Sequence, residues 1–170
     1  MSFSASPRAT GLAAAFIAAL VDQTHKFWML HVFGIESRPP VTLAPFLDVT
    51  LSWNYGVSYS LFPAHEGAGR ALLLAGQAVI VAVLLAWMWR ARSRLTALAL
   101  GLVVGGALGN ALDRVARGAV ADFFYLHTTL PVGPLANYVF NVADVAITAG
   151  VALLLFESIF PPPPPAESAA

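Results

Sequence analysis

The sequence predicts an all-α membrane protein, with four transmembrane helices and a small extracytoplasmic β-strand segment lying on the membrane surface. Three observations predict it. Hydrophobic residues make up 58% of the 170 and charged residues 11%, with a mean hydropathy of +0.74; a soluble domain carries roughly 25% charged residues. Four apolar stretches each reach the roughly 20 residues that cross a bilayer. Between the first two, the chain turns β-branched, aromatic and proline-punctuated. The length fits one domain, residues 1–160, with a Pro/Ala-rich tail over 161–170.

The first span runs from Gly11 to about Phe33. Gly11–Val21 is apolar throughout, then come Asp22, Gln23, His25 and Lys26, then Phe27-Trp28-Met29-Leu30. Arg8 ahead of an apolar core also fits a cleavable leader. The apolar residues after Lys26 suit a retained span better. The second span is Ala71–Trp89, the third Leu95–Leu112 and the fourth about Tyr138–Phe160. Arg90, Arg92 and Arg94 fill the loop between spans two and three, and Arg8 precedes span one. The positive-inside rule places these on the cytoplasmic side, so both termini are cytoplasmic. Residues about 34–70 and 115–137 then lie on the outer face. Trp28, Trp53, Trp87 and Trp89 fall near span ends or in the outer segment, as interfacial anchors do.

Within the outer segment, Val41-Thr42-Leu43 and Val49-Thr50-Leu51-Ser52-Trp53 alternate in part and are bounded by Pro39, Pro40, Pro45 and Gly56. They predict two or three short strands between about Val41 and Phe62. Pro161–Pro165 and the residues after them read as a disordered or polyproline tail. No internal repeat suggests a two-fold transporter architecture.

Composition excludes several chemistries. A chain with no cysteine has no thiol nucleophile, disulfide framework or Cys-ligated metal. The formal net charge of zero gives no sign of a nucleic-acid partner. His65-Glu66 lacks the second histidine of a zinc-peptidase helix, and no Gly-x-Ser-x-Gly elbow or Gly-rich phosphate loop occurs. No metal and no cofactor is expected.

What remains is a concentration of acids. Of nine acidic residues, Asp113, Asp122 and Asp144 fall within positions 113–144, each beside an apolar run. A carboxylate in such a place is expensive unless paired, so it is a functional-site candidate. Asp22 and Lys26, four apart with acid before base, share a helix face. They form either a structural ion pair that fixes span one, or a catalytic base whose burial lowers the lysine pKa. Asn110 lies one turn from Asp113 and Arg114, at the end of a Gly101, Gly105, Gly109 ladder that lets helices approach closely. This is a tied-down helix end, or a pair (Asn110 and Arg114) that orients carboxylates or substrate. Asn141 and Asp144 share a helical face, where Asp144 either serves the helix dipole or reacts. Two acids that share one proton equip an aspartyl hydrolase, which requires their carboxyl groups within a few ångströms. Asn54 and Gly56 mark a turn or a loop that contacts substrate backbone.

Five segments, in this order, carry a resemblance: Asp22 to Lys26, Asn54 to Ser58, Gly105 to Arg114, Gly118 to Phe123 and Phe140 to Asp144. They resemble the motifs of bacterial lipoprotein signal peptidases (signal peptidase II), over nearly the whole chain from about Gly11 to Phe160. Tyr59 stands where that family more usually has Phe. The resemblance implies a membrane aspartic endopeptidase of the bacterial cytoplasmic (inner) membrane, with its site near the outer face. Such enzymes cut the signal peptide from a prolipoprotein just before a diacylglyceryl-cysteine. Asp122 and Asp144 match the catalytic pair. Asp22, Lys26, Asn54, Gly56, Asn110, Asp113, Arg114 and Asn141 match positions that shape the site or hold substrate. The implied partners are the prolipoprotein, membrane lipids and a globomycin-type cyclic peptide inhibitor. Two other readings use the same residues: a Ser/Lys-type peptidase with Lys26 as base and Ser58 or Ser60 as nucleophile, and a proton-coupled transporter with the aspartates as relay.

Overall fold

The computed structural model of the protein describes residues 6–56, 67–128 and 137–160. Ser58, Tyr59, Ser60, His65, Glu66 and the 161–170 tail lie outside the described residues.

Helix α1 (Pro7–Phe27) starts where Ser6 caps it, the hydroxyl accepting from the Ala9 amide, with proline in the first turn, where its missing N–H is not needed. The helix widens into one π-helical turn, Trp28–Val32. The chain then reverses at Gly34, in the left-handed region at φ 66°. Strands β1 (Val41–Ala44) and β2 (Leu47–Asn54) follow, then α2 (Gly67–Arg90), α3 (Arg94–Arg117), β3 (Val120–His127), β4 (Asn137–Phe140) and α4 (Val142–Ile159). Ser93 caps α3 by accepting from the Leu95 and Thr96 amides, and Gly118 closes it at φ 82°.

α2, α3 and α4 are each long and apolar enough to cross a membrane. α1 has polar Asp22 and Lys26 on its buried face, and Leu12, Phe16, Ile17 and Leu20 on its exposed one. α3 is the hub. Gly101, Gly105 and Gly109 sit directly on Gly11, Ala15 and Asp22 of α1, so the two helices run parallel at close approach. On the other side Gly106 sits on Ala143 and Gly150 of α4 on Ala99, in antiparallel order. Small residues replace side-chain interdigitation here, which favours close helix contact in lipid. In Gly105→Ala the added methyl meets the Ala15 carbonyl and the Ala18 Cβ. We expect about 1–3 kcal/mol of lost stability, read as a lower unfolding temperature in detergent. An unchanged temperature would show that α1 and α3 can separate freely.

At one end of the bundle the Arg8 guanidinium lies 5.4 Å from the Trp89 ring centre and donates to the Trp89 carbonyl. At the other end sits a four-stranded antiparallel sheet in the order β1-β2-β3-β4. Ser52 pairs with Asp122 and Asn54 with Val120. Val49, Ala121 and Phe123 of the sheet form one buried cluster with Met29 and Ile35. The strand's alternation turns Asp122 to the face opposite Ala121 and Phe123.

Two expectations need correction. The strands were expected only between about Val41 and Phe62, yet the stretch 115–137 also holds a strand, β3, which forms the middle of the sheet with β2. Span four was expected from about Tyr138, yet Tyr138–Phe140 pairs with β3 as β4, and α4 begins at Val142. The break is Asn141, whose side chain caps the helix and fixes its first turn. Strands β1 and β2 lie where alternation placed them.

Candidate active site

Three helix ends and one strand meet beneath the sheet. From α1 comes Lys26, fully buried. Its ammonium donates to Asp22 Oδ2 at 2.9 Å, Asp113 Oδ2 at 2.8 Å and Asn110 Oδ1 at 3.0 Å. All three N–H bonds are thereby used. Two of its three partners are carboxylates, so Lys26 ties α1 to α3. Arg117 balances the second acid, with Nη1 2.6 Å from Asp113 Oδ1. Both acids also hold a neighbouring element. Asp22 Oδ1 accepts from the Ala143 amide in the first turn of α4, and Asp113 Oδ2, the oxygen bound by Lys26, also accepts from the Ala121 amide of β3. Gln23 adds donations to Asp22, Asp113 and the Gly109 carbonyl. This ionic knot joins α1, α3, β3 and α4.

Asn110 links the knot to the second pair of acids. Its oxygen accepts from Lys26 and from Asn141 Nδ2, while its Nδ2 donates to Asp144 Oδ1 at 3.0 Å. Asn141 is fully buried between the two acids. Its Nδ2 donates to Asp122 Oδ1 at 2.6 Å, its backbone N–H donates to Asp144 Oδ2 at 3.1 Å, and its Oδ1 accepts from the Asp144 amide. The last two bonds form a capping box, so Asp144 also does the helix-capping work expected of a first-turn aspartate. Asp122 is 3% exposed. Its second oxygen accepts from Asn54 Nδ2 at 3.3 Å. Burial pushes the Asp122 carboxyl up to about 7, and the nearby charge of Asp144 adds to the rise. Asp122 and Asp144, from strand and helix, thus converge on one asparagine.

Asn54 and Gly56 form the turn that their spacing suggests: the Gly56 amide donates to Asn54 Oδ1. Arg114 reaches over it, Nη2 donating to the Gly56 carbonyl at 2.8 Å. All ten candidate residues therefore belong to one connected network. Three further side chains join it that were not among the candidates: Gln23, which lies inside the Asp22–Lys26 motif, Gln77 and Arg117. The four-residue spacing of Asp113 and Arg117 is a signal that finds the last.

Two grooves open sideways from Asp144. One, of about 410 Å³, lies between α2, α3 and α4 and is lined by Leu73, Gln77, Ile80, Asn110, Arg114 and Asp144. The other, of about 400 Å³, runs down the outer side of α4 past Tyr138, Phe140, Val145 and Thr148. Both have mainly apolar walls.

Fold and site together define a membrane protein: an apolar helix bundle whose polar centre is gathered at one end and opens laterally. The sequence model of the signal peptidase (SPase) II family matches residues 14–160. A lipoprotein signal peptidase of Beijerinckia indica is 53% identical over 153 residues, covering 90% of this chain and 89% of the relative. One from Methylocella silvestris is 50% identical over 155 residues, covering 91% and 88%. A bacterial membrane enzyme solved by the in meso method at 2.3 Å resolution shares the fold, with a TM-score of 0.71 at 24% identity over 93% of this chain and 94% of that one. The chain belongs to the signal peptidase II family, and is a peptidase.

Proposed function

We propose that this peptidase is an aspartic endopeptidase of the bacterial inner membrane that removes signal peptides from diacylglyceryl-modified prolipoproteins. The observation that carries the reading is the convergence of Asp122 and Asp144 on Asn141, at the mouth of two lateral grooves. The pair holds one proton, on Asp122, where burial favours the neutral acid. Asp144, which sits in the first turn of α4 and accepts from the Asn141 backbone amide there, acts as the ionised partner. A water between them gives a proton to Asp144 as its oxygen attacks the scissile carbonyl carbon. Asp122 gives its proton to the carbonyl oxygen. Collapse of the tetrahedral intermediate returns the Asp122 proton, and Asp144 passes its proton to the leaving amine as the C–N bond breaks. No cofactor enters this sequence.

The lipid-modified cysteine enters sideways through the grooves from the bilayer, and a globomycin-type peptide occupies the carboxylate pair. We read α1 as the fourth span, since its outward face is apolar and its charges are neutralised inside. Residues 1–160 then form one domain with both termini cytoplasmic, and the sheet lies on the outer membrane surface above the site.

The Ser/Lys alternative is disfavoured because every proton on Lys26 is engaged by an acceptor. A transport relay fits poorly with acids gathered at one end of the bundle. The test is a gel-shift cleavage assay with a diacylglyceryl-modified prolipoprotein. We expect cleavage by the wild-type chain and none by a folded Asp144→Asn variant. Cleavage by both would remove Asp144 from the chemistry.

A further inference from the structure

We propose that Gln77 of α2, which no sequence motif singles out, is a positioning residue that orients Arg114 and, through Gly56 and Asn54, the Asp122 carboxylate. The inference rests on the aspartic peptidase reading.

A carboxamide halfway along a lipid-facing helix is costly unless it finds partners. Gln77 finds two, both on α3. Its Nε2 donates to the Ala107 carbonyl at 2.5 Å. That carbonyl can only accept, so the amide has one orientation, with Oε1 turned to Arg114. Arg114 Nη1 donates to this oxygen at 3.4 Å and to the Asn110 carbonyl at 3.5 Å. With Nη1 held, Nη2 is aimed at the Gly56 carbonyl. The Gly56 amide fixes Asn54 Oδ1, which leaves Asn54 Nδ2 directed at Asp122 Oδ2. The chain of donors and acceptors is unbroken from α2 to the reacting acid.

Nothing else supplies Arg114 with a side-chain acceptor at Nη1 among the described residues, and its Nε is buried without a partner. Removing the Gln77 oxygen therefore leaves Nη1 with only the 3.5 Å bond to the Asn110 carbonyl, a weaker hold on the guanidinium. α2 also packs chiefly on α3, so Gln77 is a polar tie that sets the α2 wall of the groove leading to Asp144.

The experiment measures kcat and KM of the full-length protein in detergent, with a diacylglyceryl-modified prolipoprotein, for wild type, Gln77→Leu, Gln77→Glu and Asp122→Asn. Small misplacement of a catalytic group commonly lowers turnover, so Gln77→Leu is expected to lose about tenfold in kcat with KM nearly unchanged. Gln77→Glu keeps an acceptor toward Arg114 and is expected to recover most of the loss. Wild-type kcat in Gln77→Leu, a loss confined to KM, or no recovery with glutamate overturns the inference. If the leucine variant does not fold, Gln77→Met applies the same criterion. An inactive Asp122→Asn beside a fully active Gln77→Leu overturns this inference alone. Cleavage by Asp122→Asn overturns the aspartic reading and this inference with it.

Discussion

Asp122→Asn is expected to lose at least about 10³-fold in cleavage rate, the scale on which a reacting group is missed, while remaining folded. The substitution preserves size but removes the exchangeable acid proton. It also inserts an amide between two donors. Asn141 and Asn54 both donate to Asp122, and a carboxamide offers only one oxygen to accept them. Wild-type activity should depend on pH through the same group. Its pKa is raised from 3.8 to about 7, so the proton is kept through the acidic and near-neutral range and given up above it. Cleavage should therefore decline as pH rises through about 7. The Asn54 bond favours the ionised form, so Asn54→Ala should move this decline to higher pH. An unmoved profile would separate Asn54 from Asp122, and full cleavage by Asp122→Asn would remove the dyad altogether.

Lys26→Met is expected to be the most destabilising single change in the bundle. It leaves Asp22 and Asp113, both fully buried, without the cation they share. Breaking a buried ion pair from one side costs about 3–5 kcal/mol, or on the order of 10 °C in unfolding temperature. Activity should fall too, because Asn110 loses the donor that fixes its amide. Adding Asp22→Asn should restore part of the stability by removing the stranded charge, since Asp113 keeps its ion pair with Arg117. A wild-type unfolding temperature for Lys26→Met would show that the knot is not what holds α1 to α3.

The helices were legible because each is a long apolar run with few interruptions, and lipid-facing surfaces need no partner to declare themselves. Asp22 with Lys26, and Asn110 with Asp113 and Arg114, were legible because their partners are one turn away on the same helix. β3 was not. Val120-Ala121-Asp122-Phe123 is buried on both faces, so the strand has no alternation to read. β4 was absorbed into the fourth span because Tyr138-Val139-Phe140 is as apolar as the helix behind it, and one asparagine marks the boundary. Gln77 was invisible for the opposite reason from Lys26. Its partners are the Ala107 backbone and Arg114, both on another helix, and no spacing within α2 announces them. Asp122 and Asp144 were singled out as a pair by the resemblance of their motifs. Its geometry depends on Asn141, whose double role as helix cap and bridge is not visible in local sequence.

The bond from Asp22 to the Ala143 amide joins α1 to α4 across 121 positions of sequence. The polar centre therefore closes only when α4 is in place: without α4 there is no Asp144, and Asn141 has no helix to cap. Until then Asp22 and Lys26 already pair one turn apart on α1, a net-neutral patch that waits for α3. A nascent chain stalled before Val142 carries the sheet residues and three helices, yet lacks the amide that Asp22 binds and the carboxylate that Asn110 and Asn141 hold. The network is thus closed by its most distant partners in sequence.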